Sequence, residues 1–164
     1  MKQVAAVFVV SIVALAAIVI YFQGGGTVEG NAPNFTLTDT DGNSFSLSDF
    51  RGKVVILDLM ATWCGPCEEE IPHLKEVQQH YGDDVIILSI SVAGSGDTNQ
   101  GLATFKQEQG CTWRFAIDID DVATKYDVMT IPKLVIIDKN KNIRFIHVGP
   151  TSSSTLIGEI NGLF

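Results

Sequence analysis

The apolar positions of this chain fall into blocks, and each block predicts an element. Val4 to Phe22 (VAAVFVVSIVALAAIVIYF) is apolar almost throughout, with Ser11 its one strongly polar member. As a helix the run rises about 28 Å, close to the hydrocarbon thickness of a bilayer. It has no polar face, which argues against a helix packed on a core. Lys53–Met60 (KVVILDLM) and Asp84–Val92 (DVIILSISV) are short continuous apolar runs, the pattern of strands buried on both faces. Leu134–Asp138 predicts a third such strand, and Ile143–Val148 its hairpin partner across a turn at Lys139 to Asn142. Asn34–Thr38 and Ser44–Ser46 flank Asp41-Gly42, a hairpin signal, and Leu47–Phe50 reads as a single helical turn. Helices are expected over Pro66–Tyr81, Thr98–Gln109, Asp121–Tyr126 and Ser152–Leu163, with a kink rather than a stop at Pro72. A strand–helix–strand start, a later hairpin and a closing helix predict an α/β domain with a mixed sheet.

The 164 residues suffice for one ordinary domain. The expected organisation is a transmembrane anchor over 1–23, a flexible linker over 24–31 and a single domain over 32–164. The competing reading of the first segment is a cleaved signal peptide. Such a peptide has a shorter apolar region and a small-x-small site, whereas this run ends in Ile-Tyr-Phe-Gln before Gly24-Gly25-Gly26. Lys2 precedes the run, and no Lys or Arg follows before Arg51. The positive-inside rule then puts the domain on the extracytoplasmic side of the cell membrane. Lys2 aside, ten basic residues face nineteen acidic ones. That balance argues against a nucleic-acid binder and against docking on anionic headgroups.

Chemistry concentrates in Trp63-Cys64-Gly65-Pro66-Cys67, after the most apolar strand and at the start of a helix. Free N–H groups and the dipole at a helix N-terminus favour a Cys64 thiolate, the attacking species in thiol–disulfide exchange. Pro66 suits the first turn, where its missing N–H has no helical partner. Cys67 would resolve the mixed disulfide. A zinc site needs two more ligands at suitable spacing; Cys111, His73, His80 and His147 form no second pair, so no metal or other cofactor is expected. A purely structural disulfide is the other bland reading. Cys111, the odd thiol, reads as a small buried hydrophobe at a helix-to-strand junction. Gly94 to Asn99 lacks both the third glycine of GxGxxG and the Lys-Ser/Thr of a P-loop, and is assigned to a connection.

Val54 to Cys67 (VVILDLMATWCGPC) resembles the active-site segment of the thioredoxin superfamily, and Thr130-Ile131-Pro132 resembles its cis-proline loop. The Ala32-Pro33-Asn34-Phe35-Thr36-Leu37 opening, the Leu47–Lys53 turn and the Glu68 to Pro72 run (EEEIP) are similar to the membrane-anchored TlpA/ResA group. The resemblance covers about residues 31–164. It implies a thioredoxin fold, a mixed sheet flanked by helices, with an N-terminal β-hairpin extension and an insertion before the third core strand. It implies a thiol–disulfide oxidoreductase with Cys64 as nucleophile and Cys67 as resolving thiol. Around them, Trp63, Gly65, Pro66, Thr130, Ile131 and Pro132 would meet the substrate; Trp63 would shield the site, though the same ring could simply pack. Ile131 would offer backbone pairing to an extended client. Gly149 is a weaker match to a substrate-facing glycine. The implied partners are disulfide-containing clients, apocytochrome c among them, and a membrane thiol-reductant donor.

Two acids compete for proton transfer. Asp58, six residues before Cys64, matches the buried acid of thioredoxins; burial there should raise its pKa. Glu70, three residues after Cys67, matches the ResA-like glutamate, yet Glu68, Glu69 and Glu70 also read as dipole-complementing acids of a first turn. The TlpA/ResA group often lacks an acid at the first position, so holding both is a departure. Acids beside Cys64 would oppose its thiolate and favour a reductant. An oxidase or isomerase shares the chemistry. A peroxiredoxin-like peroxidase would need a Ser or Thr at Ala61 and a Pro at Leu57, and copper modules of this fold use CxxxC plus a histidine.

Overall fold

The computed structural model describes residues 30–92 and 96–164. The expected anchor over 1–23 lies outside them, as does most of the expected linker. Among the described residues no helix is long and apolar enough to cross a membrane. The linker's last two residues, Gly30 and Asn31, are already joined to the domain. Gly30 O accepts from Ile143 N at 2.8 Å, and Asn31 bridges Asn142.

The elements are β1 (Thr36–Thr38), β2 (Ser44–Ser46), a 3₁₀ turn (Leu47–Phe50), β3 (Val54–Met60), α1 (Gly65–Tyr81), β4 (Val85–Ser91), α2 (Asn99–Glu108), β5 (Arg114–Ile117), α3 (Val122–Lys125), β6 (Lys133–Ile137), β7 (Ile143–Val148) and α4 (Ser153–Asn161). Five strands form one mixed sheet in the order β5-β4-β3-β6-β7; β1 and β2 form a separate hairpin. β3 runs parallel to β4 and antiparallel to β6. Helices interleave with a mixed sheet, which is the thioredoxin arrangement with its N-terminal hairpin. The membrane helix expected before it lies outside the described residues.

The missed element is β5. It pairs only Arg114–Ile117 with Leu88–Ser91, and four residues are too few to display a period. Its outer edge is covered by the hairpin, through the Asp39–Ala116 bridge and a bond from Thr40 N to Phe115 O at 2.9 Å. Arg114 pairs with the buried Asp39 carboxylate, fastening hairpin to edge. Tertiary contact, not local pattern, makes this segment a strand.

Alternation along β3 divides the core into two layers. Val55, Leu57 and Leu59 pack with Phe35, Leu37, Phe45, Val122 and Tyr126. Val54, Ile56 and Met60 pack with Ile71, Leu74 and Val77 of α1 and Leu156 and Ile160 of α4. Asp58 has the parity of this second set, so its carboxyl belongs to the layer beneath α1. The helix runs on through Pro72 to Tyr81. Its buried residues are Cys67, Glu70, Ile71, Leu74 and Val77, one stripe at three- and four-residue spacing.

Candidate active site

Parallel β3 and β4, and antiparallel β6 and β7, bring four loops to one end of the sheet. β3 ends at Met60, and Leu59 pairs with Lys133, the first residue of β6. Lys133 pairs in turn with Val148, the last residue of β7. The Cys64 loop, the loop before β6 and the loop after β7 therefore share an edge. Ile131–Pro132 is cis, as the resemblance implied. Pro132 is buried, Ile131 half-buried and Thr130 exposed.

Cys64 is the N-cap of α1, and its sulfur accepts from Cys67 N at 3.2 Å. Cys64 and Cys67 are joined as a disulfide, with Cα atoms 5.2 Å apart. Pro66 lies in the first turn, where its lack of an N–H costs nothing. Cys64 is 6% exposed and Cys67 only 1%, so Cys64 is the sulfur an incoming disulfide meets first. Gly65 and Pro66 between them are exposed. Trp63 is 63% exposed. The simple packing reading of that ring does not hold; it is displayed at the site's rim.

Both acids are inside. Asp58 is almost wholly buried, and burial pushes its pKa up to about 7 against the opposing bond from Ser89. Ser89 Oγ donates to Asp58 Oδ2 at 2.6 Å. Glu70 is the one member of the Glu68–Glu70 run turned inward. Burial raises it too, to about 7; the Thr151 N–H draws it back, and the Asp58 charge adds to the rise. Asp58 Oδ1 and Glu70 Oε1 are buried with no hydrogen-bond partner among the described residues. Two neighbouring carboxyls that both titrate near neutrality can hold protons or release them, which is what a thiol leaving or attacking requires. Lys133, the one buried lysine among the described residues, gives its ammonium to the carbonyls of Tyr126 and Asp127 at 2.6 and 2.9 Å. By parity it belongs to the layer away from α1.

Hydrogen bonds tie the loops together. Thr151 N donates to Glu70 Oε2 at 2.8 Å, Thr151 Oγ1 to Gly149 O at 3.2 Å, and Gly149 N to Pro132 O at 2.9 Å. The positive φ of Gly149, 89°, lets the chain turn there. Sequence reasoning missed Thr151, and also Asp97. Asp97 Oδ2 accepts from Thr62 N at 3.0 Å and Ser91 Oγ at 2.6 Å, and Oδ1 accepts from Thr62 Oγ1. Burial raises Asp97, but the Ser91 and Thr62 bonds outweigh it and hold the carboxyl below its ordinary range. The one hint in the sequence was an acid, an acceptor by nature, inside the connection before α2. Cys111 is buried, and burial pushes its thiol up to about 11 against the opposing pull of Lys75 and Lys106.

A redox-capable cysteine pair at a helix N-terminus, with a cis-proline loop at the same edge of this sheet, defines a thiol–disulfide oxidoreductase of the thioredoxin fold. The chain belongs to the AhpC/TSA family, whose pattern matches residues 28–146. It is 33% identical to the thioredoxin-like protein YneN of Bacillus subtilis over 125 residues, covering 76% of this chain and 74% of that one. It is 38% identical to the thiol-disulfide oxidoreductase ResA of Geobacillus kaustophilus over 124 residues, 74% and 70% of the two chains. A thiol:disulfide interchange protein assigned as DsbE from Chlorobium tepidum superposes with a TM-score of 0.74 at 26% identity. That match covers 84% of this chain and 99% of the other. The enzyme is a thiol–disulfide oxidoreductase of the ResA/DsbE type, exchanging disulfides with client proteins through the Cys64–Cys67 pair.

Proposed function

We propose that the enzyme works as a reductase, tethered to the cell membrane by residues 1–23 with its domain on the extracytoplasmic side. In the working direction the Cys64 thiolate attacks a client disulfide. A mixed disulfide forms, and one client sulfur leaves and takes a proton. Cys67 loses its proton and attacks Cys64 Sγ, restoring the internal disulfide and freeing the second client thiol. Two electrons pass to the client, and a membrane thiol-reductant donor returns them. Apocytochrome c awaiting haem attachment is the client class that the TlpA/ResA resemblance brings forward.

The observation that carries the direction is the pair of buried acids, Asp58 and Glu70, in the same layer as the cysteines, with the buried Lys133 on the other face. Such surroundings withhold stabilisation from the thiolate. A dithiol whose reduced form is not stabilised is the better reductant. The apolar Val4–Phe22 run and the solitary Lys2 support the tether and its orientation. Ala61 and Leu57, both apolar and fully buried, supply no hydroxyl or ring for a peroxidase site.

Equilibrating the full-length chain against a thiol buffer tests the direction. A reduction potential near or below about −250 mV supports the reductase; one between about −120 and −180 mV would make it an oxidase or isomerase.

A further inference from the structure

Asp58 is held by a chain of donors that neither the thioredoxin resemblance nor the dithiol chemistry requires. Trp113 Nε1 donates to Ser89 Oγ at 2.9 Å, and Ser89 Oγ donates to Asp58 Oδ2 at 2.6 Å. Trp113, Ser89 and Asp58 are all buried. Ser89 stands opposite Asp58 in the β3–β4 register, and Trp113 directly precedes β5. Trp113 is fixed by stacking on Phe115, centroids 5.9 Å apart.

The chain runs one way. An indole nitrogen only donates, so it takes a lone pair of the Ser89 oxygen, and the single Ser89 hydrogen is directed to the carboxyl. Oδ2 is thereby committed as an acceptor. Oδ1 has no partner among the described residues, and it is the oxygen left to take and release a proton. Buried polar chains of this kind strengthen each bond in turn.

We infer that Ser89 and Trp113 are positioning residues for thiol–disulfide exchange: they hold Oδ2 of the Asp58 carboxyl as an acceptor and orient the group, so that Oδ1 takes the proton Cys67 gives up. Ser89 on β4 and Leu134 on β6 stand opposite Asp58 in register, Glu70 on α1 and Cys111 before β5 lie within reach of its charge, and Cys67 on α1 is buried in the layer that Asp58 shares by parity. Of these, only Ser89 gives Asp58 a hydrogen bond. The step balances: the Cys67 S–H bond breaks and an Asp58 O–H bond forms, the Cys67 electron pair makes the bond to Cys64 Sγ, and the Cys64–client S–S bond breaks, its pair leaving with the client thiolate.

The test is the titration of the Asp58 carboxyl, followed by carboxyl-carbon NMR on the full-length reduced chain and assigned by its disappearance in Asp58→Asn. Removing the donor in Ser89→Ala should move the midpoint up by about one unit, the size expected for one bond to a charged group. Trp113→Phe, which leaves the Ser89 hydroxyl in place but unoriented, should move it the same way by less. The rate at which Cys67 closes a preformed mixed disulfide should shift its pH midpoint by the same amounts. In an Asp58→Asn background Ser89→Ala should then leave that rate profile unmoved. An unchanged Asp58 midpoint in Ser89→Ala would overturn the inference, as would a rate shift that persists without Asp58. Neither readout depends on the reduction potential, so this inference and the reductase assignment fail separately.

Discussion

The backbone N–H of Thr151 donates to Glu70 Oε2 at 2.8 Å, joining the first turns of α1 to the loop that leaves β7. Through Gly149 the same loop holds Pro132. One carboxyl thus has two jobs, a bond that shapes the substrate-facing edge and a charge near the dithiol. Glu70→Gln keeps an acceptor oxygen and removes the charge. The fold should survive, and the thiolate should appear at lower pH, by about one unit or less. Thiolate absorbance in the ultraviolet, read against pH, reports this directly.

Asp58 makes stability depend on pH in an unusual sense. Its pKa in the folded chain is raised to about 7 from 3.8, so the native state holds the proton more tightly than the unfolded one. The stabilisation is fully present below about pH 4 and is lost as pH rises to about 7. Asp58→Asn should therefore gain on the parent across that window, by an amount on the order of 4 kcal/mol at the top of it. Urea unfolding at about pH 4.5 and about pH 8 measures the difference. A constant gap between parent and variant at the two pH values contradicts a buried titrating acid.

The two sulfurs should separate cleanly by role. Cys64→Ser should abolish turnover of insulin disulfides. Cys67→Ser should attack and then stall, accumulating a mixed disulfide through Cys64 that reductant releases. Non-reducing gels and intact mass follow both. A stalled adduct on Cys67 in Cys64→Ser would reverse the assignment drawn from exposure.

Asp97 anchors Thr62, two residues before Cys64, to Ser91 at the end of β4. Asp97→Ala leaves Thr62 N–H and the Ser91 hydroxyl without their acceptor, and should cost about 1–3 kcal/mol of stability. Turnover should fall as well, since the nucleophile's loop loses its strut. Because the Asp97 pKa is lowered, the parent's advantage is present above about pH 4 and fades as pH falls through the depressed value. Asp97→Asn, which keeps one acceptor oxygen, should recover part of both losses.

Trp63 is displayed rather than packed. Trp63→Ala should leave stability within about 0.5 kcal/mol. It should raise KM for a protein disulfide while sparing a small one such as oxidised glutathione. Equal losses on both would mean that the ring acts on the sulfurs and not on the client.

Much of the fold was open to reading along the chain, because its signals are local. Continuous apolar runs announce β3, β4 and β6, Asp41-Gly42 announces the hairpin, and Cys64-Gly65-Pro66-Cys67 puts a nucleophile at a helix start. β5 escaped, since four residues become a strand only when β4 and the hairpin lie beside them. Ser89 did carry a faint signal, one of two hydroxyls in an apolar run, but its meaning depends on register.

The sequence by itself pointed to the class of chemistry and to the two cysteines, since two thiols three apart at a helix start suit thiol exchange, and the thioredoxin and ResA resemblance brought forward the two acids as candidates. Tertiary structure decided which partner each acid has. Glu70 turns inward while Glu68 and Glu69 face solvent, Thr151 reaches Glu70 across 81 residues, and Ser89, bonded by Trp113, reaches Asp58. A carboxyl's proton affinity is set by burial and by the donors around it, and those come from strands and loops far apart in the chain.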